Sequence, residues 1–211
     1  MPFAILRKGQ WQLSDRALDA GMIDICLNLI SSRLNEYLQG LFSVSDKLVV
    51  LSPLADAKGE QAAETRNCVA MFLLNIAQDT VPRQRRLPSP EVVMAPPMHL
   101  DLYFMLAAAH DPELYAEGLK QISASMMFFQ ANPLLTPQNL PDLPPQISQL
   151  SIEMINLKVE ELSQLWSNLG GRYVPSVTYK MRTAIIDSGT LLRVDPLIRQ
   201  RDLRTEPAGA A

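Results

Sequence analysis

The chain has 211 residues, 47% hydrophobic and 19% charged, with a net charge of -3. That length accommodates one sizeable domain, and the near-neutral balance excludes a bulk basic surface of the kind that binds nucleic acid. Two cysteines, Cys26 and Cys68, are too few for a disulfide framework and match neither a zinc pair nor a redox pair, so small core residues in a reducing, bacterial-type cytoplasm are expected.

At the start, the apolar run Phe3 to Leu6 is followed by Arg7 and Lys8 rather than preceded by them, which is not a secretory signal. No run approaches the roughly 18 apolar residues of a transmembrane helix, so direct membrane insertion is not expected. From Asp15 to Phe42 the residues Leu18, Met22, Ile25, Cys26, Leu29, Ile30, Tyr37, Leu38 and Leu41 recur at helical steps, with Gly40 near the end. "DKLVVLSP", 46 to 53, reads as a short strand ended by Pro53. The polar stretch 54 to 66 is a loop or wide connection, and 67 to 79 is a strand apolar on both faces from Cys68 to Leu74.

Residues 80 to 97 contain five prolines and three arginines and read as a solvated loop rather than a folded element. "MHLDLYFMLAAA", 98 to 109, alternates Leu100, Leu102, Phe104 and Leu106 with His99, Asp101, Tyr103 and Met105. Asp111 is placed to cap a helix opening on Pro112 and Glu113, whose stripe is Tyr115, Leu119, Ile122, Met126 and Phe129; that face is core, or packs on a partner.

A second proline-rich connection, 131 to 146, leads to a strand over 147 to 157. Asn156 is the expected cap of a short helix with the stripe Val159, Leu162, Trp166 and Leu169, stopped by Gly170 and Gly171. The last long strand covers 173 to 186 with Pro175 near its start. Val177, Tyr179, Met181 and Ile185 face the core, while Ser176, Thr178, Lys180 and Arg182 share a polar face. The element order gives an α/β or α+β class, a mixed β-sheet flanked by helices. Residues 16–188 form the single domain, 1–15 an extension, and 189–211 an arm, partly disordered, that starts apolar and carries Arg193, Arg199, Arg201 and Arg204.

Little here is equipped for catalysis. His99 and Asp101 lie two apart on one strand face, where a carboxylate could orient an imidazole base, but chance gives that spacing constantly and no nucleophile motif accompanies it. His110 reads as a solvated loop residue. Two histidines and two scattered cysteines do not make a zinc site, and no glycine-rich phosphate loop is present. No catalytic, cofactor-binding or metal-binding residue is therefore assigned, and no cofactor is expected. Met126 to Phe129 and Trp166 read as core more readily than as a sticky surface.

Three stretches read together carry a family likeness: "APPMHLDLYFMLAA" at 95 to 108, "NPLL" at 132 to 135, and "LSIEMINLKVEELSQLWSNLGGRYVPSVTYKMRTAIID" at 150 to 187. The chain resembles the cap, or tail-terminator, proteins of phage-tail-like contractile injection systems over most of residues 16 to 188. Its most specific part is the Trp166 helix followed by Tyr173, Pro175, Ser176, Val177 and Tyr179. The resemblance implies a tail-terminator-like fold and a structural role without catalysis: six copies in a ring that closes the inner tube and contractile sheath at the end distal to the baseplate. The implied partners are further copies of the chain and the sheath and inner tube proteins, with no nucleic acid. Assembly would be cytoplasmic, and the final location would follow the particle.

Interface candidates come from charge and placement alone. Arg83, Arg85 and Arg86 in the proline-rich loop and Arg193, Arg199, Arg201 and Arg204 in the tail could reach acidic surfaces on neighbouring subunits or sheath, though a solvated loop is the stronger reading of the first three. Ser176, Thr178, Lys180 and Arg182 could meet solvent or a neighbour. The alternative reading is a small cytoplasmic α/β adaptor or binding module with no particle role.

Overall fold

The structure is a computed structural model that describes residues 4–7, 10–13, 21–56, 59–79, 92–94, 98–145, 147–170, 172–186 and 191–194. Strands β1 (Ala4–Arg7) and β2 (Gln10–Leu13) pair antiparallel as a hairpin. Helix α1 (Met22–Phe42) buries Met22, Cys26, Ile30, Leu34 and Leu38, a row at four-residue steps that swallows one side of the helix. Leu41, expected in that row, is exposed. The helix runs through Gly40 and closes at Ser43, whose left-handed φ of 56° lets its N–H donate to the Gln39 carbonyl.

Strand β3 (Val49–Leu51) runs parallel to β4 (Val69–Gln78). The loop between them carries a bridge from Ala55 to Gln61 and a 3-10 turn over Ala63–Thr65. β4 is buried on both faces only from Val69 to Phe72 and becomes exposed toward Gln78. Its second half outruns its neighbour β3, so the expected two-sided burial to Leu74 stops short. Strands β5 (Val92–Met94) and β10 (Leu191–Val194) pair antiparallel. Residues 92 to 94 are thus not loop: "VVM" opens on two β-branched residues and finds an extended partner in "LLRV".

β6 (Met98–Ala108) lies at the middle of the sheet between β4 and β9 (Ser176–Ile186), antiparallel to both. A 3-10 turn over Pro112–Leu114 leads into α2 (Tyr115–Ala131). β7 (Leu134–Leu135), β8 (Leu150–Ile155) and α3 (Val159–Asn168) follow. The sheet order is β3-β4-β6-β9-β8-β7, mixed through the one parallel pair. The α+β class, with a mixed sheet flanked by helices, is the one expected.

α1 and α2 cover one face of the sheet. There Phe104 packs on Phe129 and Tyr179, with ring centroids 6.0 and 5.5 Å apart, amid Leu102, Leu106, Met181 and the α1 row. Leu140, Leu143 and Ile147 pin the second proline-rich connection into the same core. α3 covers part of the other face, where Trp166 packs on Ala70, Phe72, Met105 and Ala107. Both faces of β6 are therefore buried, each by a different helical layer.

Three helix details depart from the sequence reading. Asp111 makes no side-chain cap bond; its carboxylate is engaged elsewhere. The α2 row is rotated: Gly118, Gln121, Ile122, Ser125, Phe128 and Phe129 are buried while Tyr115, Leu119 and Met126 are exposed. α3 starts after Lys158, not at Asn156; the Glu161 carboxylate accepts from the Lys158 backbone N–H at 2.8 Å, and Val159 stands 79% exposed.

Candidate assembly surfaces

The polar row of β9 faces away from the α1/α2 core. Its register sets Lys180 opposite Tyr103 on β6 and Glu153 on β8, and Arg182 opposite Asp101 and Ser151. Side chains directly opposite on one face of an antiparallel pair are close enough to interact. Lys180 Nζ reaches Glu153 Oε1 at 2.5 Å, while Arg182 stands 3.6 Å from Asp101 Oδ1 and 3.7 Å from Glu153 Oε1. The two Arg182 contacts are ion pairs at a longer range than hydrogen bonds. The Lys180 ammonium holds the Glu153 carboxyl below its usual range, first by its hydrogen bond and then by its charge.

The structure therefore brings Lys180 and Arg182 into a ladder with Asp101 and Glu153 inside the subunit, leaving Ser176 half-buried and Thr178 buried. Asp101, weighed in the sequence as a possible orienter of His99, turns its carboxylate to Arg182. Sequence alternation found the polar row but not its partners, because pairing depends on which strands are neighbours. β9 is interior, hydrogen-bonded on both sides. Pro175 sits just before it, where its carbonyl accepts the Ala108 N–H at 2.9 Å and its missing N–H leaves no gap in the ladder.

At the end of the sheet where β6 stops, Asp111 is held by two neighbours. Arg66 Nε and Asn67 Nδ2 each donate to its Oδ2 at 3.1 Å, and its own N–H donates to Asn67 Oδ1 at 2.9 Å. Asn67 takes a left-handed φ of 57°, which asparagine tolerates and its two side-chain bonds hold. The Asn67 and Arg66 bonds push the Asp111 carboxyl below its usual range. Beside this cluster His110 packs on Gly118; both ring nitrogens are buried without a hydrogen bond, and burial lowers its pKa. His110 is part of the packing, not the solvated loop residue expected.

The sheet's outer edges are guarded at particular points. The Asn35 side chain of α1 accepts from the backbone N–H groups of Leu48 and Val49, masking the start of edge strand β3. On β4 a bulge falls between Leu73 and Asn75, and the Ile76 N–H donates to Asn75 Oδ1. Both devices occupy backbone groups that would otherwise invite a foreign strand. On the outer shoulder of α2, Leu114, Tyr115, Leu119, Met126 and Met127 are exposed, Met127 by 57%. Single exposed apolar residues are ordinary, but a row of them along one helix is the material of an interface.

Of the arginines singled out by charge, Arg83, Arg85, Arg86, Arg199, Arg201 and Arg204 lie outside the described residues. Arg193 is described only by its strand position opposite Val93. Among the described residues no group of three or more His, Cys, Asp or Glu is arranged to hold a metal ion, and no helix is long and apolar enough to cross a membrane.

The arrangement is a mixed sheet between two helical layers, with charge and apolar rows on its outside. Residues 27–200 match the family model for the Pvc16 N-terminal domain. The chain belongs to the Pvc16 N-terminal domain family. The match runs from α1 to beyond β10 and so includes every strand of the sheet. Among solved structures the domain is similar to the sheath/tube terminator of PVC, an extracellular contractile injection system, in its extended state, at 14% identity and a TM-score of 0.59. It is similar too to the tube-terminating cap of the anti-feeding prophage, at 16% identity and a TM-score of 0.53. The alignments cover 90% and 85% of this chain but 65% and 60% of those chains. The chain thus spans less than two thirds of either neighbour. At this identity the likeness establishes a shared fold. No curated protein matches the chain.

Proposed function

We propose that this Pvc16-type domain terminates the inner tube and contractile sheath of a phage-tail-like injection particle, as a hexameric ring at the end distal to the baseplate. The observation that carries the reading is the family match across residues 27–200, which takes in the whole six-stranded sheet, α2, α3 and all but the first turn of α1. Support comes from the two solved neighbours, one a sheath/tube terminator and the other a tube-terminating cap.

A six-fold ring needs head-to-tail contacts, in which one patch of a subunit meets a different patch of the next. The domain offers unlike surfaces for this: the exposed α2 row on one side of the sheet and the Lys180–Glu153 ladder on the other. Arg83, Arg85, Arg86, Arg193, Arg199, Arg201 and Arg204 are assigned to acidic surfaces on adjacent subunits, tube or sheath. Assembly takes place in the cytoplasm, without a cofactor or catalytic step.

The test is co-expression with the tube and sheath proteins of the same particle. With the cap present, electron microscopy should show particles of uniform length; without it, lengths should scatter. The triple charge reversal of Arg83, Arg85 and Arg86 to glutamate should broaden the length distribution as well. Stable particles of normal length from cells lacking the chain would sink the reading.

A further inference from the structure

The sheet lacks a strand at one edge. β3 has three residues: after Leu51 the Ser52 N–H still donates to the Met71 carbonyl, and then Pro53, with no N–H to give, takes the chain away. β4 continues through Phe72 to Gln78 with β6 on one side, and no described strand pairs with its other side over those residues. Val69 and Met71 turn their backbone groups toward β3, so Leu73 is the next residue to present them outward; farther along, the Ile76 N–H is already taken by Asn75 Oδ1, so the open groups centre on Leu73.

A second observation falls at the same place. Where β3 stops, an open trough of about 530 Å³ runs between α1 and β4, walled by Ile23, Leu27, Leu51, Pro53, Met71 and Leu73. It is mostly apolar, and the charged side chain on its wall is the exposed Asp24. An unpaired strand side next to an apolar trough is the arrangement by which sheets accept an extended peptide. Main-chain bonds hold such a peptide, and alternate side chains enter the trough.

We infer that this edge receives, as an added strand, the segment after Val194 of a second copy of this chain, with an arginine of that segment set against Asp24. That segment reads "DPLIRQRDLR" from 195 to 204, an apolar pair at Leu197 and Ile198 followed directly by arginines. The reach is adequate: β10 follows from the Ile186 end of β9, which pairs with Met98, and the open half of β4 points to that same end, where Gln78 meets Leu100. Extended at about 3.3 Å per residue, ten residues span about 33 Å, on the order of the diameter of a small domain. A donated tail and a receiving edge are different patches, so the contact is head-to-tail. The inference rests on the ring reading and names one of its contacts.

The test uses the full chain with a photo-crosslinking benzoylphenylalanine in place of Pro53 or, separately, of Ile76, both exposed positions. Equal amounts of nitrogen-15-labelled and unlabelled copies are mixed before assembly, and crosslinked peptides are read by mass spectrometry. The expected product joins position 53 or 76 to a peptide within 195–204 of a chain of the other isotope. Asp24→Lys should lower its yield about two- to fivefold, the range of an exposed ion pair. Crosslinks confined to one chain, or to any other segment, overturn the inference, as does a yield indifferent to Asp24. Native mass is measured alongside. A hexamer without the tail crosslink overturns this inference alone; the crosslink without a hexamer upholds it and removes the six-fold ring.

Discussion

Gly118 lies where α2 crosses the end of β6, and a Cβ built there would come 2.9 Å from His110 Nδ1 and 3.2 Å from Ala108 Cβ. Alanine inside a helix normally gains up to about 1 kcal/mol over glycine, an upper bound for Gly118 in the first turn of α2, but overpacking costs about 1–3 kcal/mol. Gly118→Ala should therefore be neutral to destabilising by about 1–2 kcal/mol in urea unfolding, against the helix propensity. Adding His110→Ala should recover part of the loss. Because burial lowers the His110 pKa, the unfolded chain binds the proton more readily. That makes stability fall as pH drops below about 6.5, the usual histidine value, until the folded-state pKa is passed. Asp111 and Glu117, which face His110, moderate the shift without reversing it. His110→Gln should flatten the melting temperature between pH 7 and 5.

The Glu153 carboxyl is depressed, so its stabilising contact with Lys180 is present above the ordinary glutamate value and fades as pH falls through the folded one. Lys180→Met should be less stable than wild type at pH 7, and the gap should narrow in the acid range below about pH 4.5. Melting curves at the two pH values check this. Glu153 is half exposed, so solvent limits the size of the effect.

At the scale of elements, α2 is the informative case. Its 4-3-4-3 apolar spacing was legible in the sequence, and so was its helical state. The side it buries was not, because the tight crossing at His110 requires Gly118 inward and draws Gln121 and Ser125 in with it. Tyr115, Leu119 and Met126 are left outside. Leu119→Ser and Met126→Gln should change unfolding free energy by no more than about 0.5 kcal/mol, as exposed substitutions do, whereas Ile122→Ala should cost about 2–4 kcal/mol. α3 shows the same division. Trp166, correctly read as an anchor, is 4% exposed and Trp166→Ala should cost about 3–5 kcal/mol, while Val159→Ser should be close to neutral. Strand periodicity was the most readable signal. β6 falls where alternation puts it, and β9 keeps the expected faces from Val177 to Met181 but starts at Ser176 rather than Tyr173, after Pro175; a period of two fixes faces before any partner is known. Pairing was unreadable: nothing local links Asp101 and Glu153 to Arg182, or "VVM" to "LLRV". Long-range register decides both.

For the whole molecule, the sequence marks that carried the family likeness lie on β6, β7, β8, α3 and β9, with the most specific of them on α3 and β9. The family match extends that likeness across nearly the whole fold. The surfaces were less readable than the core, because an exposed face is shaped by what it will meet. Guarding of the β3 start by Asn35 and of Ile76 by Asn75 shows edges managed residue by residue, and the stretch of β4 around Leu73, between the end of β3 and Ile76, stands out against that background.

The central claim, that this domain closes one end of a tube and sheath, is tested most directly by locating it on the particle. A small affinity tag on the full chain, labelled with gold and imaged on assembled particles, should appear at one end, opposite the baseplate. Label spread along the sheath, at the baseplate, or absent from particles of normal length would contradict the account.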